Sequence, residues 1–240
     1  MPSLLSRLPP AAIMVASVVI AVAMTLAAVL IAIDRPQLDL PRGAVPLQVG
    51  EMELAPTDLI AEPDQLGTYS AMRAFFDRQT RLVGELEAPT VTVTWRTPQG
   101  ATRTDSFTPR PRTVGDLPFP FWFQQGVGII ALLVGGWVLS LRREDWGARM
   151  FALTAIFLPI AAMSASVYST RQVALDGELF RTLSQINHLG AVGFGTALVG
   201  LFLMYPRPLV SPRWLLVPLA VFGTGFALDF AYVGDLQLMS

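Results

Sequence analysis

The chain has 240 residues, 52% of them hydrophobic and 15% charged, with a mean hydropathy of +0.51 and a net charge of −1. A soluble domain usually carries about a quarter charged residues, so this balance puts much of the chain in a membrane. Cysteine is absent, which excludes disulfides, iron–sulfur clusters and cysteine zinc sites; every basic residue is arginine, which excludes a Schiff-base lysine; and the near-neutral charge gives a nucleic-acid partner no support.

Residues 11–33 form an uncharged run of 23, longer than the 7 to 15 residues of a signal-peptide core, and Asp34-Arg35-Pro36 follows where a small-residue cleavage site would stand. The stretch 1–33 is therefore expected to be an uncleaved anchor helix, with Arg7 before it placing the N-terminus in the cytoplasm. Residues 34–117 carry 9 arginines and 12 acids and are expected to fold as a separate extracytoplasmic domain. Val45, Leu47 and Val49 alternate as a half-buried strand would. A helix over 68–87, capped by Thr68 or Ser70, has a predicted buried face of Tyr69, Met72, Phe76, Val83 and Leu86. Strands are predicted over 90–95 and 101–107, joined by the turn Thr97-Pro98-Gln99-Gly100. The interspersed charges of this domain read as a solvated surface; a shallow ligand or peptide groove beside the helix, with a strand edge accepting an extra strand, is the functional alternative.

The bundle, 118–240, begins with a 23-residue apolar span over 119–141, long enough to cross about 30 Å of hydrocarbon. Its aromatic start (Phe119, Phe121, Trp122, Phe123) and basic end (Arg142, Arg143) direct it from outside to inside. Further spans are predicted over 150–168, kinked at Pro159, over 182–205 and over 214–233, with 142–149 a short charged loop on the inside. The segment 169–181 is read as an outside loop whose charges serve solvation. Small residues in 182–205, among them Gly190, Gly193, Gly195 and Gly200, make that span the expected packing core. Short segments then hold six arginines inside against two outside. The chain ends on the outside after a fifth span, as a truncated protein would.

Tyr168, Arg171, Glu178, Arg181, Asn187 and His188 are the candidate ligand or sensing residues, a polar rim at the outer face. His188, the only histidine, lies inside a span; the readings open to it are a proton-linked sensor, an axial ligand, or an interhelical hydrogen bond with Ser164, Ser166, Tyr168 or Asn187. Asp229, inside the fifth span, pairs with another segment, marks an ion path or snorkels to the interface. A bis-histidine haem is excluded within one chain. No catalytic residue, metal site or cofactor is expected, since no P-loop, dinucleotide fingerprint, HExxH or GxSxG occurs. Pro118, Pro120, Pro159, Gly190 and Gly193 are the candidate transmission positions.

The helix-plus-hairpin stretch 66–107, the opening FPFWFQQGVGIIALLVGGWVLSLRREDWGARMFAL and the segments VYSTR and NHLGAVGFGTALVGLFLMYPRPLV together resemble the N-terminal sensory half of bacterial membrane-integral sensor histidine kinases of the competence-sensor type. The resemblance is one of architecture. It implies a polytopic α-helical protein of about five transmembrane helices in the bacterial inner membrane. A small α+β, PDZ-like extracytoplasmic domain would lie between helices 1 and 2. It also implies a homodimer in contact with membrane lipid, a peptide or small-molecule ligand, and a cytoplasmic kinase output beyond this chain. An accessory subunit of a membrane complex is the competing reading, and a transporter would need internal repeats that are not evident.

Overall fold

The structure, a computed structural model, describes residues 9–233, without the side chains of 229–233. Arg7, the Asp229 side chain and the terminal segment 234–240 lie outside what is described. Six α-helices are present among the described residues: α1 Pro10–Ile33, α2 Tyr69–Leu86, α3 Phe119–Leu141, α4 Trp146–Ser169, α5 Gly177–Met204 and α6 Leu216–Val233. By length and composition α1, α3, α4 and α5 can each cross a membrane, which makes this a multi-pass membrane protein. The fifth expected span is a shorter apolar helix preceded by the 3₁₀ turn Pro212–Leu215.

Two helices start earlier than the sequence suggests. Trp146–Arg149, read as loop, is the first turn of α4, because the Asp145 carboxylate accepts from the Ala148 amide at 2.8 Å and nucleates the helix there. Residues 177–181, read as outside loop, are the first turn of α5, where Asp176 accepts from the Leu179 amide at 3.0 Å.

The chain divides into two units. Of the described residues, one holds 9–28, Trp122–Ser166 and 185–233; the other holds Val29–Phe121 and Val167–Ser184. The second unit thus recruits a segment that the sequence reading left outside the 34–117 domain.

Within the membrane unit, close helix approach depends on missing side chains. A Cβ on Gly190 of α5 would strike the backbone of Ala161 on α4, and Asn187, one turn earlier, donates to the Ala161 carbonyl at 3.0 Å. Gly193 lies against the Phe157 ring and Gly200 against Met150, whereas Gly195 faces open space and takes no part in packing. Helix α3 contributes as much as α5: Gly128 receives Met163 and Pro159, Gly135 receives Ala155, and Gly136 receives Ser17 of α1. A buried amide crosses the same interior, with Gln125 of α3 donating to Ser166 of α4 at 2.7 Å.

The polar unit is built on an antiparallel sheet of β2 Val45–Val49, β3 Met52–Glu53, β4 Val91–Arg96 and β5 Thr102–Phe107, in the order β3-β2-β4-β5; β1 Pro36–Gln37 pairs separately with β6 Arg110–Pro111. The predicted turn closes the β4–β5 hairpin, with the Gly100 amide donating to the Thr97 carbonyl at 2.9 Å. The expected alternation of Val45, Leu47 and Val49 fails. A bulge at Leu47 puts an extra residue between the pairs Pro46↔Trp95 and Gln48↔Thr94, so Pro46 and Val49 are buried while Val45 is exposed. Helix α2 is capped by Thr68, whose hydroxyl accepts from the Ala71 amide at 3.1 Å. Its buried stripe is Met72, Phe75, Phe76, Gln79, Leu82 and Leu86, while Tyr69 is exposed. Leu82 and Leu86 pack into the core of Val49, Val91, Val93 and Trp95 with Leu38. Also inside that core are Val173 and Ala174 of the recruited segment. This is an α+β unit with a small sheet.

Candidate functional site: the clasp around Arg171

The recruited segment joins α4 to α5, and its sequence explains why it cannot remain in solvent. Val173, Ala174 and Leu175 stand consecutively between Arg171 and Asp176, and all three are at most 3% exposed. Burying such a run in an irregular segment requires partners for its peptide groups, because an unpaired buried amide or carbonyl costs about 1–3 kcal/mol. Side chains supply them. Gln172 acts as a surrogate strand for Leu38, accepting from its amide at 2.7 Å and donating to its carbonyl at 2.6 Å. Gln79 of α2, itself wholly buried, accepts from the Leu175 amide at 3.2 Å and donates to the Asp58 carbonyl at 2.9 Å. Thr80 accepts from the Gly177 amide at 3.0 Å. Gly177 has to be glycine, since a Cβ there would enter the Phe76 carbonyl and the Thr80 hydroxyl.

Arg171 is the centre of this clasp. Its guanidinium donates to the carbonyls of Ile60 at 2.6 Å, Tyr168 at 2.9 Å and Asp58 at 3.1 Å, and to the Gln79 side-chain oxygen at 3.2 Å. The same group lies over the Phe180 ring at 4.6 Å and near the Phe75 ring at 5.7 Å. Burial pulls its pKa down to about 10, against a smaller upward pull from Glu62 and Asp58. The Asp58 carboxylate is engaged by Arg78 instead, which donates to both oxygens at 2.7 and 2.6 Å and is held above its ordinary pKa chiefly by that contact. Beside Arg171, Tyr168 stacks on Phe180 at 5.1 Å and donates to Glu62 at 2.7 Å.

Of the six candidate sensing residues, the structure brings Tyr168 and Arg171 together in the clasp. Glu178 and Arg181 pair with one another one turn into α5. Asn187 and His188 belong to the membrane unit, Asn187 on the Ala161 carbonyl and His188 half-buried beside it in sequence. Among the transmission candidates, the Pro118 carbonyl accepts from the Phe121 amide at 3.0 Å ahead of α3, Pro120 sits in the first turn of α3, and Pro159 lies inside α4.

Gln79, Asp58, Glu62, Gln172 and Phe180 were not singled out by the sequence reading. Two signals pointed to them: a glutamine at a core position of the α2 stripe, and an apolar triplet inside a short charged connector. The arrangement has no nucleophile–base pair and, among the described residues, no group of acids or histidines able to hold a metal. Its chemistry is mechanical: a polar latch fixing the α4–α5 connector to helix α2. No protein-family model, curated protein or solved structure matches this chain.

Proposed function

We propose that the protein is the input half of a bacterial membrane sensor. The α+β unit faces the extracytoplasmic side, detects a cue, and relays it to a histidine-kinase output beyond this chain. The observation that carries this reading is the clasp. A helix of the sensing unit grips the connector between two spans through Gln79, which meets Arg171 and the Leu175 amide, while Gln172 ties the same connector to Leu38, so a ligand that moves α2 moves residues continuous with α4 and α5. A second support is chain continuity. All four passages of the chain between the units, at 28/29, 121/122, 166/167 and 184/185, fall inside α1, α3, α4 and α5. A relay of this kind needs two packings that the cue binds unequally.

The segments 34–117 and 167–184 share one folded unit although α3 and α4 lie between them in the chain. Two crossings return the chain to the side it left, as the proposed topology requires. The PDZ-like description belongs to this proposal too, supported by a helix packed on an antiparallel sheet. A peptide, if one binds, would add to the free edge of β5, since β2 under the helix is already paired on both sides.

The test uses the full-length reading frame in membrane vesicles with labelled ATP. We expect autophosphorylation, and a change of at least threefold in its level when Pro118 and Pro120 are both replaced by glycine, with the α+β unit still resistant to protease. Absence of phosphoryl transfer together with a co-purifying stoichiometric subunit would overturn the sensor reading in favour of an accessory role.

A further inference from the structure

The basic end of the membrane unit holds a cleft of about 500 Å³ formed by the last turns of α3 and α5 and the first turns of α4. Its lining is mostly apolar, made by Val138, Gly147, Ala148, Phe151 and Leu201, and its polar groups are Arg142, Tyr205 and Asp145. The volume falls in the range of small-ligand sites, roughly 300–1,000 Å³. Neither the arginine nor the tyrosine is committed within the protein: among the described residues the Arg142 guanidinium and the Tyr205 hydroxyl make no hydrogen bond or ion pair. Asp145, the one acid in the lining, is engaged at the α4 N-terminus, where its Oδ1 caps the Ala148 amide at 2.8 Å and the positive helix end offsets its charge.

The depth of the cleft identifies its occupant. It lies at the ends of three spans, beside Trp146, which is 39% exposed at the start of α4 and belongs to the headgroup level. The connections flanking it, 142–149 and 205–215, carry five arginines against two acids. A hydrocarbon-lined slot at this level, opening on an uncommitted guanidinium and a phenol in a positive field, suits a molecule with an apolar tail and an anionic head.

We propose that this cleft is a binding site for an anionic phospholipid. One acyl chain lies on Val138, Phe151 and Leu201, and the phosphate is held by Arg142 with the Tyr205 hydroxyl donating. The site stands independently of any signalling role.

The test is native mass spectrometry of the detergent-solubilised protein titrated with phosphatidylglycerol and, separately, with phosphatidylcholine of identical chains. The expected result is at least tenfold tighter retention of the anionic lipid. Arg142→Gln should weaken that retention at least fivefold and Arg142→Lys much less, and Leu201→Trp, which fills the slot, should abolish it. Arg213→Gln, removing an equal charge at the same end but off the cleft, should change retention less than twofold. Equal binding of the two lipids would overturn the proposal. So would equal losses in Arg142→Gln and Arg213→Gln, which would mean diffuse charge attraction only. Arg142 is exposed, so its variants report on binding rather than on folding.

Discussion

The two connections that flank α5 are built in opposite ways. The α4–α5 connection is short, buried and held by groups from elsewhere in its unit: the Gln79 and Thr80 side chains and the Leu38 backbone, which its own Gln172 meets. The α5–α6 connection is longer and exposed, with Leu209 at 74% and Trp214 at 54%, and is held by its own backbone, the Leu209 amide donating to the Leu203 carbonyl at 2.8 Å. Both contain arginines and apolar residues, so composition does not separate them. What separates them is whether a folded unit offers polar side chains to satisfy the connector's peptide groups. Where it does, apolar residues such as Val173 and Leu175 can leave solvent; where it does not, Leu209 stays out.

The strongest way to break this contrast is Arg171→Leu. It removes four donated hydrogen bonds; the Asp58 carbonyl keeps the Gln79 amide and the Gln79 oxygen keeps the Leu175 amide, while the Ile60 and Tyr168 carbonyls lose the guanidinium. The expected loss is about 3 kcal/mol in the stability of the α+β unit, from two acceptors left without a donor at about 1–3 kcal/mol each, partly relieved by hydration. The matching change in the other connection, Arg207→Leu, should cost less than about 0.5 kcal/mol. Hydrogen exchange of the α2 and β4 amides checks both; equal protection in the two variants would mean that the clasp is decoration.

A smaller effect is expected from Gly177→Ala. The added methyl meets the Phe76 carbonyl and the Thr80 hydroxyl, and forcing it in should cost about 2 kcal/mol as overpacking. Gly195→Ala, also in α5 but with open space at its Cβ, should be neutral or slightly stabilising through helix propensity. Thermal unfolding of the two variants side by side decides this. A neutral Gly177→Ala would mean that α2 and the connector can separate at little cost, which would weaken the clasp as a relay.

How much of this was legible beforehand follows from which forces leave a one-dimensional trace. Hydrophobic length does, and the spans around 11–33 and 119–141 stand close to α1 Pro10–Ile33 and α3 Phe119–Leu141. Turn chemistry does, and Thr97 to Gly100 closes the hairpin as read. Helix starts set by a single carboxylate, Asp145 or Asp176, were read as charged loop because the same residues would also suit solvent. The bulge at Leu47 left a sequence that alternates on paper and a strand that does not. The clasp was half legible. Tyr168 and Arg171 were picked out for their position near a membrane edge, but their partners Glu62, Asp58 and Gln79 lie 92 to 113 positions away in sequence, a pairing that no local pattern encodes.

The smallest expected effect separates the buried clasp from the surface closure of the same unit. Arg110 spans Asp39 at 2.9 Å and Asp116 at 2.8 Å, at the end of the β1–β6 pair. The Asp116 carboxylate also accepts from the Thr113 amide at 2.7 Å and its hydroxyl at 2.8 Å. Hydrogen bonds from Arg110 and then from Thr113 hold it well below the usual carboxylate range. A depressed folded pKa means that the stabilisation is complete above the unfolded value, about 4, and is lost as pH falls through and below it. Because the group is solvent-screened, the contribution is small and falls further with salt. The acceptors of Arg171, by contrast, are carbonyl and amide oxygens that do not titrate in this window. As pH falls from 6 to 3 the gap between the unfolding midpoints of the wild type and Asp116→Asn should therefore begin to narrow, while the gap between wild type and Arg171→Leu should persist. If the Asp116→Asn gap stayed constant with pH, the Thr113 hydrogen bonds rather than the charge would be closing this end of the unit.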